Sequence, residues 1–190
     1  IVQATDPLSF TAGLRVGPAF VVNAVEPMLA AAKLGGQQAA NLLLITDTAL
    51  LVFTVDPKSL ALTQKTGVQI PDVSDLFPAL AVGNFDSDPA DDEAILFNEA
   101  GSDGKLHLLL YDFPPPQLTP TLLDNQASDF AALSGYAAAA GKVHWLDTSD
   151  TVVFGAVNID NQGVAIDKTL LVYTAENGQL VEQARLAQND

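Results

Sequence analysis

The chain has 190 residues, of which 48% are hydrophobic and 16% charged, a composition that supports a folded domain with a substantial core. Its 23 acidic residues outnumber 8 basic ones, and the net charge of −15 argues against binding to nucleic acid or anionic membrane surfaces, which require basic patches. No cysteine is present, which excludes disulfides and thiolate metal sites, and no apolar run reaches the roughly 18 residues of a membrane span.

Short runs of Leu and β-branched residues, separated by clusters of Pro, Gly, Asn and Asp, dominate the chain and are typical of an all-β protein. Two Ala-rich stretches, 26–41 and 135–141, differ from this pattern, and their glycines are expected to keep any helix there short. Strands are predicted, in chain order, at 19–25, 41–46, 49–57, 77–85, 93–98, 105–114, 130–136, 151–158 and 168–178.

These strands recur in groups of three, and an amphipathic stretch after each third strand predicts a weaker fourth strand. Matching places in the third strand of each group are occupied by an aromatic residue, namely Phe53, Tyr111 and Tyr173. We therefore expect a single domain over 1–190 that contains approximate repeats at 17–75, 76–128 and 129–190.

Four short strands per repeat of this length are what a β-propeller blade requires. The predicted fold is all-β, a propeller-like array of about three four-stranded blades, and a β-sandwich is the alternative. Propellers use about four to eight blades. Three blades therefore predict either an open array or completion by a longer chain, a second copy or another subunit. An open array exposes sheet edges, which favours self-association or a protein partner.

The segment GNFDSDPADDEAIL, residues 83–96, concentrates acidic side chains between two apolar runs. Oxygen-bearing side chains stand at alternate positions from Asn84 through Asp86 and Asp88, with Asp92 following, and like charges this close repel one another. Ca²⁺ takes roughly six to eight oxygen ligands and binds well in a tight loop, and its charge would remove the repulsion. The spacing therefore indicates a calcium loop, and a solvated Asp-rich turn is the alternative.

Residues 80–96, LAVGNFDSDPADDEAIL, resemble the FG-GAP or VCBS repeat of integrin α-subunit-type β-propellers. In that repeat an apolar strand ending in Val-Gly leads into D-x-D/N-x-D-G-x-x-D and then a second apolar strand; the other repeats of this chain share only the strand order. The resemblance implies a structural Ca²⁺ held by the side chains of Asn84, Asp86, Asp88 and Asp92 and by the backbone carbonyl of Ala90. Pro89 replaces the usual Gly and changes the local loop geometry, and Asn84 replaces the usual Asp, which weakens binding by one anionic ligand.

Residues suited to catalysis are scarce. The chain carries no nucleophile-elbow, zinc-protease or phosphate-loop motif. His107 alternates within a predicted strand, where a structural or surface role is expected. His144 and Trp145 form a pair suited to contact a sugar or a partner, because a Trp ring stacks on the apolar face of a sugar; packing of Trp145 between blades is the alternative. We therefore expect no enzyme activity.

Three functions remain open at this point. The first is a non-enzymatic binding or adhesion module, extracellular or on the cell surface, whose Ca²⁺ is structural. The second is a structural subunit that self-assembles through its sheet edges, and the third is a carbohydrate-binding or carbohydrate-processing propeller. The chain begins without Met or a signal-peptide pattern, so it is expected to be a processed product or a fragment.

Overall fold

The structure, a computed structural model, describes residues 3–6, 9–11, 28–36, 41–46, 48–56, 58–59, 61–71, 79–86, 88, 91–99, 102–103, 105–131, 135–143, 147–159, 162 and 165–189. Every regular element in these ranges is a β-strand. The prediction of an all-β fold is therefore confirmed. Within the same ranges, no helix has the length and apolar character needed to cross a bilayer.

Twelve of the strands form three four-stranded antiparallel sheets, in each of which the strands follow one another along the chain. A separate hairpin pairs β1 with β2, which span Gln3–Asp6 and Ser9–Thr11. Sheet 1 contains β3 to β6, at Met28–Ala32, Asn41–Ile45, Ala49–Val55 and Leu62–Gln69. Sheet 2 contains β7 to β10, at Ala79–Gly83, Glu93–Glu99, Lys105–Asp112 and Thr121–Ala131. Sheet 3 contains β11 to β14, at Gly135–Gly141, Thr151–Ile159, Ala165–Glu176 and Gln179–Asn189.

A β-bulge recurs at the same place in all three sheets. The extra residue always lies on the fourth strand, opposite the predicted aromatic of the third strand: Lys65 opposite Phe53, Leu123 opposite Tyr111 and Gln183 opposite Tyr173. A bulge twists and bends the strand that carries it. Its recurrence at the aromatic positions shows that the three sheets are structural repeats in the register that the sequence predicted.

Sheet 2 lies between the other two sheets and packs against both. We call the side of each sheet that carries Phe53, Tyr111 or Tyr173 its front face, and the opposite side its back face. One apolar cluster joins the back face of sheet 1, with Leu43 and Val52, to the front face of sheet 2, with Leu96 and Tyr111. Sheet 2 therefore presents its front face to the back face of sheet 1.

The second cluster repeats this arrangement between sheets 2 and 3. The back face of sheet 2 contributes Phe97 and Leu110, and the front face of sheet 3 contributes Phe154 and Tyr173. Phe97 and Phe154 are fully buried, and their rings stack with centroids 4.1 Å apart and planes 4° from parallel. Burying a side chain of this size stabilises the fold by about 1.5–3 kcal/mol, so this pair is a main contact between the two sheets.

The described residues of the two Ala-rich stretches, where any helix was expected to be short, contain a strand each and no helix. Met28–Ala32 and Gly135–Gly141 are the first strands of sheets 1 and 3, and both contact β7, the first strand of sheet 2. Small side chains permit this close approach: a Cβ atom placed on Gly83 would lie 3.3 Å from that of Ala140. Tertiary packing therefore outweighs the helix propensity of Ala.

The first strand of repeat three was predicted too early in the chain, whereas the first strand predicted for repeat one is not tested by the described residues. The strand predicted at 19–25 lies outside the described residues, and sheet 1 begins at Met28. The strand predicted at 130–136 is divided, because Phe130 and Ala131 end β10 and Gly135 begins β11.

Candidate metal centre

A buried glutamate closes the acidic loop between β7 and β8. Glu93, the first residue of β8, is only 2% exposed, and its carboxylate accepts hydrogen bonds from the N–H groups of Phe85 at 2.6 Å and Asp86 at 3.3 Å. These bonds connect the end of the loop to its beginning. They also give acceptors to backbone N–H groups that would otherwise be left without a hydrogen bond. Leaving a buried donor unsatisfied costs about 1–3 kcal/mol per group.

Asp92 joins the loop to sheet 1. Its Oδ2 accepts a hydrogen bond from the N–H of Lys33 at 2.6 Å, and its own N–H donates to the carbonyl of Lys33 at 2.6 Å. Lys33 directly follows β3, the first strand of sheet 1. The side chain and backbone of Asp92 therefore hold sheets 1 and 2 together.

The same two-bond joint connects sheets 2 and 3. The N–H of Asn84, which directly follows β7, donates to Oδ2 of Asp150 at 3.0 Å, and the N–H of Asp150 donates to the carbonyl of Asn84 at 2.5 Å. Asp150 directly precedes β12, just as Asp92 precedes β8. We call these two contacts the aspartate joints. The two ends of the acidic loop are thus fixed to different neighbouring sheets, the Asp92 end to sheet 1 and the Asn84 end to sheet 3.

Hydrogen bonds within the loop curl it around its own carboxylates. Oδ1 of Asp86 accepts from the N–H of Asp88 at 2.7 Å, and the carbonyl of Asp88 accepts from Nδ2 of Asn84 and from the N–H of Asp91 at 3.4 Å. Oδ1 of Asn84 is buried without a hydrogen-bond partner among the described residues. A buried acceptor in that state favours an additional donor or a cation.

Burial, together with nearby negative charge, raises the pKa values of two carboxyls at the loop, those of Asp91 and Glu93. Burial, followed by repulsion from Asp88, Asp112, Asp86 and Asp92, raises the pKa of Asp91. Burial raises the pKa of Glu93 to about 8, helped by repulsion from Asp86 and Asp91 and opposed by the hydrogen bond from Phe85. Removing charge from such a cluster, by protonation or by a bound cation, relieves the repulsion.

The predicted ligands are only partly brought together. Asn84, Asp86 and Asp88 share the curled half of the loop, whereas Asp92 is already bound to Lys33 and Ala90 lies outside the described residues. Within the part of the chain that the structure describes, no three His, Cys, Asp or Glu side chains are arranged as a metal-binding group. The donor chemistry nevertheless suits Ca²⁺, because Oδ1 of Asn84 and the neighbouring carboxylates are hard oxygen donors.

Sequence reasoning missed several residues that shape this site. It did not assign roles to Glu93, Asp91 and Asp112, and it did not pair Asp150 with Asn84. The place of Asp112 beside the loop follows from strand pairing, because the pairing of Ala94 with Tyr111 puts Glu93 opposite Asp112. The aspartate joints cross between sheets, so no local sequence signal could have found them.

The histidine positions add little to a catalytic interpretation. His144 and Trp145 lie outside the described residues, so their predicted ligand contact stays a prediction. The ring nitrogens of His107 lie 2.7 Å from Oδ1 of Asn125 and 3.1 Å from Oδ2 of Asp103. These contacts are consistent with the structural role that was expected of His107.

Comparison with known proteins extends the description of the fold. No protein-family model matches the chain, and no curated protein matches it in sequence. Among solved structures, a rhamnogalacturonan lyase of Bacillus licheniformis is similar, with a TM-score of 0.57 and 12% sequence identity over 85% of this chain. The match covers 35% of the lyase, so the chain spans about a third of its length. At this identity the similarity concerns the fold alone.

Proposed function

We propose that the three sheets are blades of a β-propeller and that the chain serves as a non-enzymatic binding or adhesion module, extracellular or on the cell surface, with Ca²⁺ bound structurally in the loop 84–92. The propeller arrangement is supported by the identical order of strands, the recurring bulge and the front-to-back stacking of the sheets. The contacts of β7 with β3 and β11 also support it, because the first strands of neighbouring blades lie side by side in a propeller.

The structural role of the loop rests on one observation: each end of it is hydrogen-bonded to a different neighbouring sheet. Asp92 bonds to Lys33 of sheet 1, and Asn84 bonds to Asp150 of sheet 3. A cation that fixes the loop conformation would therefore stabilise two sheet interfaces at once. A catalytic group would instead need open access to a substrate, and Glu93, which closes the loop at the start of β8, is buried.

In the proposed site, Oδ1 of Asn84 and the carboxylates of Asp86 and Asp88 hold the Ca²⁺, with Asp92 contributing the oxygen that does not bond to Lys33 and Ala90 its carbonyl. The cation supplies positive charge among repelling carboxylates and performs no chemistry. Fewer anionic ligands than in the family pattern indicate an affinity near the 10⁻⁴–10⁻³ M range of extracellular calcium modules.

The experiment compares thermal unfolding in EDTA with unfolding in about 10 mM Ca²⁺, where such affinities give about 1.4–2.7 kcal/mol of stabilisation. We expect the unfolding temperature of the wild type to rise by several degrees and that of Asp88→Ala to stay unchanged. Asp56→Ala is the matched control: Asp56 also accepts backbone hydrogen bonds in a loop, from Lys58 and Ser59, but it lies between β5 and β6 and is not among the charges that act on Asp91 or Glu93. Its calcium response should equal that of the wild type. Indifference of the wild type to Ca²⁺ would refute the metal site.

A second candidate function is carbohydrate binding or processing. The fold similarity to a rhamnogalacturonan lyase favours it, as does a polar cleft of about 250 Å³ between sheets 2 and 3, lined by Leu108, Gln126, Ala127, Ser128, Tyr173, Glu182 and Arg185. The hydroxyl of Tyr173 donates to Glu182 at 3.3 Å, and Glu182 pairs with Arg185 at 2.7 Å. These groups can exchange their mutual hydrogen bonds for sugar hydroxyls. The net charge of −15 opposes binding of an anionic polyuronate, which places this function second.

Affinity electrophoresis in gels that contain rhamnogalacturonan tests this candidate. Retardation that is lost in Arg185→Ala or Trp145→Ala would support carbohydrate binding at the cleft or at the predicted His144–Trp145 pair. Shortening of the polysaccharide by the wild-type protein would overturn the non-enzymatic proposal. Migration unaffected by the polysaccharide would remove the second candidate for this ligand.

A further inference from the structure

The back face of sheet 3 is open, whereas the equivalent face of sheet 2 is fully covered. On sheet 2, Ile95, Phe97, Leu108 and Leu110 are at most 1% exposed because sheet 3 lies over them. The equivalent positions on sheet 3, aligned through Tyr111 and Tyr173, are Val153, Gly155, Leu170 and Val172. Of these, Leu170 is 41% exposed and the other three are half-buried. Leu186, which pairs with Leu170, is 70% exposed.

Two equivalent glycines show the same contrast. Gly83 ends β7, and a Cβ atom there would lie 2.7 Å from Oδ2 of Asp150, so the aspartate joint requires glycine or a small shift at this position. Gly141 ends β11 at the corresponding position of sheet 3, and no described residue lies within 4 Å of a Cβ atom placed on it. Lys142, which corresponds to Lys33 and Asn84, is exposed. The site for a third aspartate joint is thus present without its aspartate.

The back face of sheet 3 also lacks a large apolar side chain at one position where sheets 1 and 2 have one. Between sheets 1 and 2 the corresponding positions are occupied by Ile45 and Leu96, which belong to one buried cluster, and between sheets 2 and 3 by the stacked Phe97 and Phe154. In sheet 3 the position of Ile45 and Phe97 is occupied by Gly155, which has no side chain to offer. A sheet packed there must itself supply a large side chain, because interiors are filled to a constant packing density.

We propose that the back face of sheet 3 binds the front face of a further four-stranded repeat, whose second strand is preceded by an aspartate that bonds to Lys142 and carries an aromatic side chain opposite Gly155. The partner is identified by the two interfaces already present, both of which are front to back and both of which carry the aspartate joint. Two copies of this chain meeting back to back would leave Lys142 and Gly141 unused.

The inference deepens the propeller arrangement proposed above and rests on it, but it does not depend on calcium. The calcium loop lies where sheets 1, 2 and 3 meet, whereas the proposed surface lies on the other side of sheet 3. Failure of the calcium experiment therefore leaves this inference untouched, and failure of the experiment below leaves the metal site untouched.

The experiment extends the chain by one repeat. A second copy of residues 132–190 is added after Asp190, so that the added β11 follows β14 by the connection that joins β10 to the original β11. The added copy brings its own aspartate, from Asp150, and its own aromatic, from Phe154. Because the chain has no cysteine, Leu170→Cys in the original sheet 3 provides a single thiol on the back face.

We expect Leu170→Cys to react readily with a soluble thiol reagent in the original chain and to lose most of that reactivity in the extended chain. Leu123→Cys is the matched control, since Leu123 is similarly exposed, at 43%, but lies on β10 of sheet 2. Its reactivity should be the same in both chains. Phe154→Ala, made only in the added copy of the extended chain, should restore part of the Leu170→Cys reactivity, because it leaves the space over Gly155 of the original sheet 3 empty.

Gly141→Val tests the joint directly. It should leave the unfolding temperature of the original chain unchanged, because the position is open, and it should restore Leu170→Cys reactivity in the extended chain by blocking the aspartate. Gly83→Val, where the joint is already made, should destabilise the original chain.

Equal Leu170→Cys reactivity in the two chains would overturn the proposal. This includes an added repeat whose circular dichroism shows no gain in strand, since the face is proposed to support its folding. Disulfide-linked dimers through the introduced thiol of the unextended Leu170→Cys chain, formed in proportion to concentration, would likewise overturn it in favour of back-to-back association.

Discussion

The connections between the first and second strands of sheets 2 and 3 both join their sheet to the preceding one, but they differ in the number of carboxylates that they carry. Both end in an aspartate, Asp92 or Asp150, that makes the same two hydrogen bonds to the preceding sheet. Only the connection in sheet 2 adds clustered carboxylates, whose repulsion, after burial as the larger cause, raises the pKa values of Asp91 and Glu93. The aspartate joint is thus the shared architectural element, and the acidic set is an addition that calls for its own explanation.

The residue that begins the second strand sharpens this contrast. Asn41, Glu93 and Thr151 occupy the same position in the three sheets, and all three are buried polar residues. Of these, Glu93 accepts two backbone hydrogen bonds from the acidic loop. The position demands a buried polar side chain, while the loop determines which one.

The largest effect is expected from removing Glu93. Glu93→Ala leaves the N–H groups of Phe85 and Asp86 without their acceptor, and we expect the free energy of unfolding to fall by about 1–3 kcal/mol in urea titrations. Glu93→Gln keeps an acceptor oxygen of the same shape and should remain close to the wild type. Thr151→Ala, the equivalent change in sheet 3, should cost less. Equal losses for Glu93→Ala and Glu93→Gln would contradict the role given to the buried acceptor.

The next largest effect concerns the two joints. In EDTA, Asp92→Ala and Asp150→Ala should each lower the free energy of unfolding by a similar amount, about 1 kcal/mol, because each loses one side-chain hydrogen bond between sheets. In Ca²⁺ the two variants should diverge, since Asp92 belongs to the proposed metal site and Asp150 does not. Thermal unfolding with and without Ca²⁺ measures both values. A common calcium response in the two variants would show that Asp92 has no role beyond its joint.

The smallest effect is expected far from both connections, at the turn between β8 and β9. Hydrogen bonds from the N–H of Lys105 and from His107 lower the pKa of Asp103 below its usual 3.8. Since the pKa is lower in the folded state, the ionised carboxylate favours folding at pH values above 3.8, and this contribution disappears as the pH falls through the folded-state pKa. Asp103→Asn should therefore cause a slight loss of stability at neutral pH that vanishes in acid.

Unfolding temperatures of the wild type and Asp103→Asn, measured from about pH 7 down to about pH 2, provide the test. A difference between the two proteins that widens towards low pH would have the wrong sign and would exclude the assigned interaction.

Some features of the acidic loop could be predicted from the sequence and others could not. The alternating oxygens of Asn84, Asp86 and Asp88 could be predicted, because ligands within one loop have a fixed local spacing. The hydrogen bonding of Asp92 to Lys33 could not be predicted, because these residues are 59 positions apart and meet only when two sheets pack. Ala-rich strands were misjudged for a related reason: a stretch such as 135–141 has weak strand propensity, and its neighbours on β7 decide its conformation.

By itself, the sequence determined the all-β class, the grouping of strands into three repeats and the matching places of Phe53, Tyr111 and Tyr173, since all of these depend on local alternation and spacing. Only the tertiary structure decided which face of each sheet is covered, which aspartate bonds to which neighbouring sheet, and that the back face of sheet 3 remains open. These features arise from contacts between residues distant in the chain, and the strand pattern of a single repeat is the same whether its faces are covered or exposed.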